Sequence, residues 1–139
     1  MKQEDKELLL QDLCGRLPYG VKMNHIANTE NNPITLVGIA KTMITLESSA
    51  GYGTSDIEDY IPYLFPLSSM TEEQYAKFII ISGWDGDISD IRRGKFSCIG
   101  YIGLDYFYDT IDWLNKNHFD YRGLIEKGLA INATGLNIY

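Results

Sequence analysis

Between Leu17 and Val21 the spacing of apolar residues switches from a helical period to a strand period, and Pro18 stands at the switch. Before it, Leu10, Leu13, Cys14 and Leu17 recur at i, i+3, i+4 and i+7, which puts them on one helix face. Glu4, Asp5 and Glu7 lie where negative charge complements the positive end of a helix dipole. The spacing predicts a helix over residues 4–15, with Gly15 as a left-handed cap and Pro18 preventing continuation. After the switch, Val21, Met23 and His25 alternate with Lys22 and Asn24, as side chains do on a strand with one buried face. A helix followed at once by strands requires a fold of the α+β class.

The rest of the chain extends this pattern. A polar turn, Asn28-Thr29-Glu30-Asn31-Asn32-Pro33, precedes an apolar run from Ile34 to Ile39, and Thr42 to Leu46 suits a further strand. Ser48 to Ser55 reads as a loop, with a fourth strand around Ile57 to Ile61. The prolines in Ile61-Pro62-Tyr63-Leu64-Phe65-Pro66-Leu67 exclude a central strand or a helix interior and predict an extended apolar connector over the core. Ser69-Met70-Thr71-Glu72 and Thr71-Glu72-Glu73-Gln74 both match a capping box, opening a helix with Tyr75, Phe78 and Ile79 on one side that ends near Gly83. A strand over Lys95 to Ile102 follows, then a helix from Asp105 to Asn117 with Leu104, Tyr108 and Ile111 as its stripe. Asp120 is a cap for a short last helix ending at Gly128. The expected architecture is a single α+β domain over residues 1–139. It has an amino-terminal helix, a small antiparallel sheet or partial barrel, and carboxy-terminal helices packed on it.

Charge narrows the partners. Twelve basic and 19 acidic side chains give a formal net charge of −7, with the deficit spread over both halves. Such a surface repels a phosphate backbone, so nucleic acid is not an expected partner. The basic cluster Arg92, Arg93 and Lys95 follows Asp85, Asp87 and Asp90, and reads as a mixed, solvated loop. Cys14 and Cys98 read as small core residues; a disulfide between them stays open, and two cysteines fit a reducing compartment. The charged first residues do not resemble a signal peptide, and no apolar run is long enough to span a bilayer. The expected setting is cytoplasmic, without membrane contact.

Familiar chemistries are poorly represented. His118 lies in Asn115-Lys116-Asn117-His118-Phe119-Asp120-Tyr121-Arg122, where an imidazole oriented by Asp120 suits a general base. The simpler reading is a helix-to-helix corner in which His118 satisfies backbone groups, Asp120 caps and Phe119 plugs the core. His25, in phase with Val21 and Met23, reads as a half-buried strand residue. Asp85, Asp87 and Ser89 share the start of a calcium-loop spacing, but Asp90 and Phe96 occupy the positions that need Gly and Glu. Four scattered Cys and His exclude structural zinc, so no metal or cofactor is expected. Gly51-Tyr52-Gly53-Thr54-Ser55 lacks the lysine of a phosphate loop, and no nucleophile elbow occurs. These omissions point away from an enzyme.

The unusual feature is aromatic content, with 10 Tyr, 5 Phe and 2 Trp. Tyr52, Tyr60, Tyr63, Tyr101, Tyr106, Trp113 and Tyr121 are too many rings for a small core to hide, and rings with a polar tip suit interfaces.

Three strings also stand out as a set: Glu4-Asp5-Lys6-Glu7-Leu8-Leu9-Leu10 through Lys22, Pro62-Tyr63-Leu64-Phe65-Pro66-Leu67 through Glu73, and Asp112-Trp113-Leu114-Asn115-Lys116-Asn117-His118-Phe119-Asp120-Tyr121-Arg122-Gly123-Leu124-Ile125. In them the chain resembles a group of small uncharacterised proteins encoded in prophages and mobile elements of gut Bacteroidetes. The resemblance implies origin and a cytoplasmic setting and hands over no catalytic residue. It also implies that these strings form the scaffold, leaving the strand loops and the Trp84–Gly94 loop to face partners.

The leading expectation is a non-enzymatic accessory protein of a phage or mobile element that binds a protein partner or forms a homo-oligomer. The alternative is a protein that binds or sequesters a nucleotide-like small molecule, with rings stacking on a base and arginines meeting phosphate. The candidate binding residues are Trp84, Arg92, Arg93, Trp113, His118, Tyr121 and Arg122.

Overall fold

The computed structural model describes residues 1–93 and 102–139, with the side chain of Arg92 outside that description. Helix α1 (Gln3–Arg16) leads through a 3-10 turn at Leu17–Tyr19 into strands β1 (Lys22–His25), β2 (Ile34–Ala40), β3 (Met43–Ser48), β4 (Gly51–Asp56) and β5 (Tyr60–Pro66). Helices α2 (Glu72–Ser82), α3 (Ile88–Arg92) and α4 (Leu104–Lys116) follow, then the two-residue strands β6 (Phe119–Asp120) and β7 (Ile131–Asn132). This is an α+β fold with an amino-terminal helix, a mixed sheet and carboxy-terminal helices.

The sheet runs β4-β3-β2-β1-β5-β6, with β7 also on β5. Strands β1 to β5 pair antiparallel, whereas β6 and β7 lie parallel to β5, so the sheet is not purely antiparallel as expected. The segment expected as a connector is instead the inner strand β5. Its prolines are tolerated because each ends a ladder: Pro62 is the last β5 residue paired with β1, opposite Met23, and Pro66 is the last paired with β6, opposite Asp120. Gly51 to Ser55, expected as a loop, forms β4 through pairing with β3, so cross-strand partners override weak local propensity. The strand expected over Lys95–Ile102, with Cys98, lies outside the described residues except at Ile102.

Two apolar cores share β5. Leu9 and Leu13 of α1 pack on Val21, Met23, Leu36 and Ile44 of the sheet. Beyond β5, Phe78, Leu114, Phe119 and Tyr121 form the second core. Helix α1 is turned relative to the expected stripe: Leu9, Asp12, Leu13 and Arg16 are buried, and Cys14 is exposed. Gly15 lies inside α1 rather than capping it, and Gly20, at φ +64°, takes the left-handed position. In α4 the inward residues are Thr110, Leu114 and Asn115, with Phe107, Ile111 and Trp113 half-buried; Leu104 and Tyr108, expected inside, point to solvent. The second of the two capping boxes forms: Thr71 Oγ1 accepts the Gln74 amide at 3.2 Å, and Gln74 Oε1 accepts the Thr71 amide at 2.9 Å. The expected last helix is a series of turns ending at Gly128. Asp120 nevertheless caps that segment, accepting the amides of Leu124 at 2.9 Å and Ile125 at 2.8 Å.

Candidate functional site

The buried charge of α1 sets the site. Asp12 and Arg16 are one helical turn apart and both fully enclosed. Arg16 Nε donates to Asp12 Oδ2 at 2.6 Å, and Nη2 donates to Oδ1 at 3.0 Å and to the Phe119 carbonyl at 2.8 Å. This bidentate fork ties α1 to β6 and thereby to the segment that follows β6. There, Asp120 gathers the amides of Leu124 and Ile125 around Gly123, whose φ of +71° favours a residue without a side chain. The turn fixes Tyr121 and Arg122. The guanidinium carbons of Arg16 and Arg122 lie 5.4 and 5.2 Å from the centre of the Tyr121 ring, within cation–π range.

Tyr121 and Arg122 line a cavity of about 650 Å³. Its apolar walls come from Leu8 of α1, Leu67 after β5, Phe107 and Ile111 of α4, and Ile125. Its polar lining includes Ser68, Arg93, Asp120 and Glu126. The volume falls within the size range of small-molecule pockets, and the lining is the usual combination of apolar walls with a few placed polar groups.

Three of the candidate residues therefore meet here: Arg93, Tyr121 and Arg122. The others lie elsewhere. Trp84 borders a separate cleft of about 160 Å³ with Ile102 and Tyr106. Trp113 stacks on Phe119 at 5.7 Å and borders a cleft of about 410 Å³ between α2 and α4. The Arg92 side chain is outside the described residues. His118 is buried at the corner after α4, where the chain turns into β6 rather than into a second helix, and its carbonyl accepts the Phe65 amide at 2.9 Å. Its imidazole stacks on Tyr139, and Nδ1 has no hydrogen-bond partner among the described residues. Burial, aided by the charges of Arg16 and Lys22, pushes its pKa down to about 4. The ring is thus a neutral packing element near neutral pH. His25 occupies a half-buried strand position, where Nδ1 accepts the Ala27 amide at 3.1 Å.

The anticipated rings divide. Tyr63 and Tyr121 are buried and Tyr60 and Trp113 half-buried, while Tyr52 and Tyr106 are exposed. Tyr101 lies outside the described residues. Sequence reasoning missed Asp12 and Arg16, although their i, i+4 spacing was a readable signal of an ion pair. Among the described residues, no group of three His, Cys, Asp or Glu is placed to hold a metal ion. No helix is long and apolar enough to cross a membrane among those residues. No protein-family model, curated protein or solved structure matches the chain.

Proposed function

We propose that the chain is a small-molecule binding module whose ligand occupies the cavity between α1, α4 and the Asp120–Glu126 turn. The observation that carries this reading is a single concave space of about 650 Å³ in which Tyr121, Arg93 and Arg122 converge over apolar walls. A nucleotide-like molecule belongs to the size class such a space admits. The reading calls for binding and assigns no residue a catalytic role. Titration of a metabolite panel by thermal shift tests it, with Ser68→Trp as the blocking variant because Ser68 is exposed on the cavity lining. A ligand should raise the melting temperature of the parent chain and lose that effect in Ser68→Trp. Equal stabilisation of both chains would place binding elsewhere.

A second reading, contact with a protein, is supported by a different surface. Ile80 of α2 and Leu104 and Tyr108 of α4 are 79%, 82% and 77% exposed on helices that pack together. Isolated exposed apolar residues are ordinary, but several on neighbouring helices suit an interface. In that reading Ile80→Ser with Tyr108→Ser lowers self-association or partner capture and leaves ligand binding unchanged.

A further inference from the structure

We propose that the cavity selects an amphipathic organic anion, a carboxylate or phosphate joined to an apolar or flat body, and that Arg122 is the group that meets the anion. This rests on the cavity being a ligand site and adds the chemical class of the ligand.

The argument begins with how Asp12 is used. Both of its oxygens accept from Arg16, at 2.6 and 3.0 Å. Arg122 Nε stands 3.5 Å from Oδ1, beyond ordinary N–H···O bonding, and this buried nitrogen has no hydrogen-bond partner among the described residues. One carboxylate thus faces two guanidiniums, and the better geometry belongs to Arg16. Arg122 shares Asp12 with Arg16 and has the longer contact, and its side chain is 32% exposed where it lines the cavity. Glu126, also on the lining, is the carboxylate an incoming anion would have to compete with. The nearest acid in sequence, Asp120, spends both oxygens on the Leu124 and Ile125 amides. A second guanidinium, Arg93, joins the lining from the end of α3.

Pre-organisation strengthens the case. The Tyr121 ring lies 5.2 Å from the Arg122 guanidinium carbon, and the Asp12 carboxylate attracts the Nε side across 3.5 Å without bonding it. An arginine already packed on a ring loses less rotamer freedom when an anion docks on its fork. Asp12 and Arg16 are positioning residues here, since they act on the ligand through Arg122. Leu67, Phe107, Ile111 and Ile125 provide apolar surface for the remainder of the ligand, which a bare inorganic ion would leave uncovered.

Ligand-detected NMR on the whole chain tests this with phenyl phosphate, benzoate, benzyl alcohol and inorganic phosphate. At least one of the two aromatic anions should bind about tenfold more tightly than benzyl alcohol, and which one does so identifies the head group. Arg122→Met should remove that preference, and Arg122→Lys should restore part of it. Should Arg122→Met fail to fold, Arg93→Met serves as the second variant and should also weaken anion binding. Benzyl alcohol binding as tightly as both anions overturns the anion proposal and leaves the cavity reading standing. Inorganic phosphate binding as tightly as phenyl phosphate overturns the amphipathic class. Failure of all four probes to bind overturns both readings.

Discussion

The ring of Tyr139 lies flat on the imidazole of His118, with centroids 3.8 Å apart and planes 12° apart. This stack aims the Tyr139 hydroxyl into the sheet at the point where β1 and β5 separate. The register that pairs Met23 with Pro62 makes Lys22 and Tyr63 the next opposed residues. In place of a direct ladder bond, the Lys22 amide donates to the Tyr139 hydroxyl at 3.1 Å, and the hydroxyl donates to the Tyr63 carbonyl at 2.7 Å. One phenol completes a ladder that Pro62 ends, and burial raises its ionisation above the ordinary phenol range.

Tyr139→Phe keeps the stack and removes the bridge. The expected loss is about 0.5–1.5 kcal/mol, the range for a hydrogen bond whose groups water can partly serve, since Tyr139 is 45% exposed. Urea denaturation should show a lower midpoint at unchanged slope, and the Lys22 amide should exchange faster with solvent. An unchanged midpoint would mean that water serves these two groups equally well.

His118 makes stability depend on pH. Its pKa falls from 6.5 to about 4 on folding, so between those values the unfolded chain binds more protons. Stability therefore rises with pH through this window, is complete above about 6.5, and is lost as pH falls toward 4. The loss accumulated by pH 4 is on the order of 2–3 kcal/mol, allowing for relaxation of the site. His118 also has a φ of +59°, a conformation that asparagine tolerates better than most residues, so His118→Asn is the suitable variant. The difference between parent and variant melting temperatures, followed from pH 7 to pH 4, should narrow as acid is added. A constant difference would mean that the imidazole does not titrate on unfolding.

The helix corner at His118, the capping box at Thr71 and the end of α2 at Gly83 were legible in the sequence because each depends on a few adjacent residues. The facing of α1 and α4 was not. In α1 apolar periodicity put Cys14 inside, whereas the buried ion pair turns Asp12 and Arg16 inward and leaves Cys14 exposed; in α4 it put Tyr108 inside, where the structure buries Thr110, Leu114 and Asn115. Strand β5 was hidden for a related reason: its neighbours β6 and β7 are two residues long and lie more than 50 positions away, so no local pattern announces them. The cavity was half legible. Arg93, Tyr121 and Arg122 were named from composition, but their meeting depends on the Asp12–Arg16 fork holding β6 against α1.

The fork itself can be tested by removing one partner and then both. Asp12→Leu leaves the fully buried Arg16 guanidinium without its counter-charge and should cost about 3–5 kcal/mol. Combining it with Arg16→Met removes the stranded charge, and the double variant should recover most of the loss. A residual deficit of about 1 kcal/mol is expected from the Phe119 carbonyl, which loses its donor. Urea midpoints of Asp12→Leu, of Arg16→Met alone and of the double variant against the parent measure the coupling. Additive losses would show that the two charges are stabilised independently.

Gly15 of α1 lies against Asn115 of α4. A methyl group there would lie 2.9 Å from Nδ2 of the buried Asn115 side chain, which would have to shift. Alanine normally stabilises a helix interior by about 0.5–1 kcal/mol over glycine. The contact should reverse that gain, so Gly15→Ala is expected to destabilise by about 1 kcal/mol, the lower range for overpacking. In an Asn115→Ala background the obstacle is gone, and the same substitution should become stabilising by its helix propensity. Denaturation midpoints for the four members of the cycle decide the matter. A change of sign assigns the glycine to helix–helix contact, whereas a loss of equal size in both backgrounds would trace it to the backbone of α1 alone.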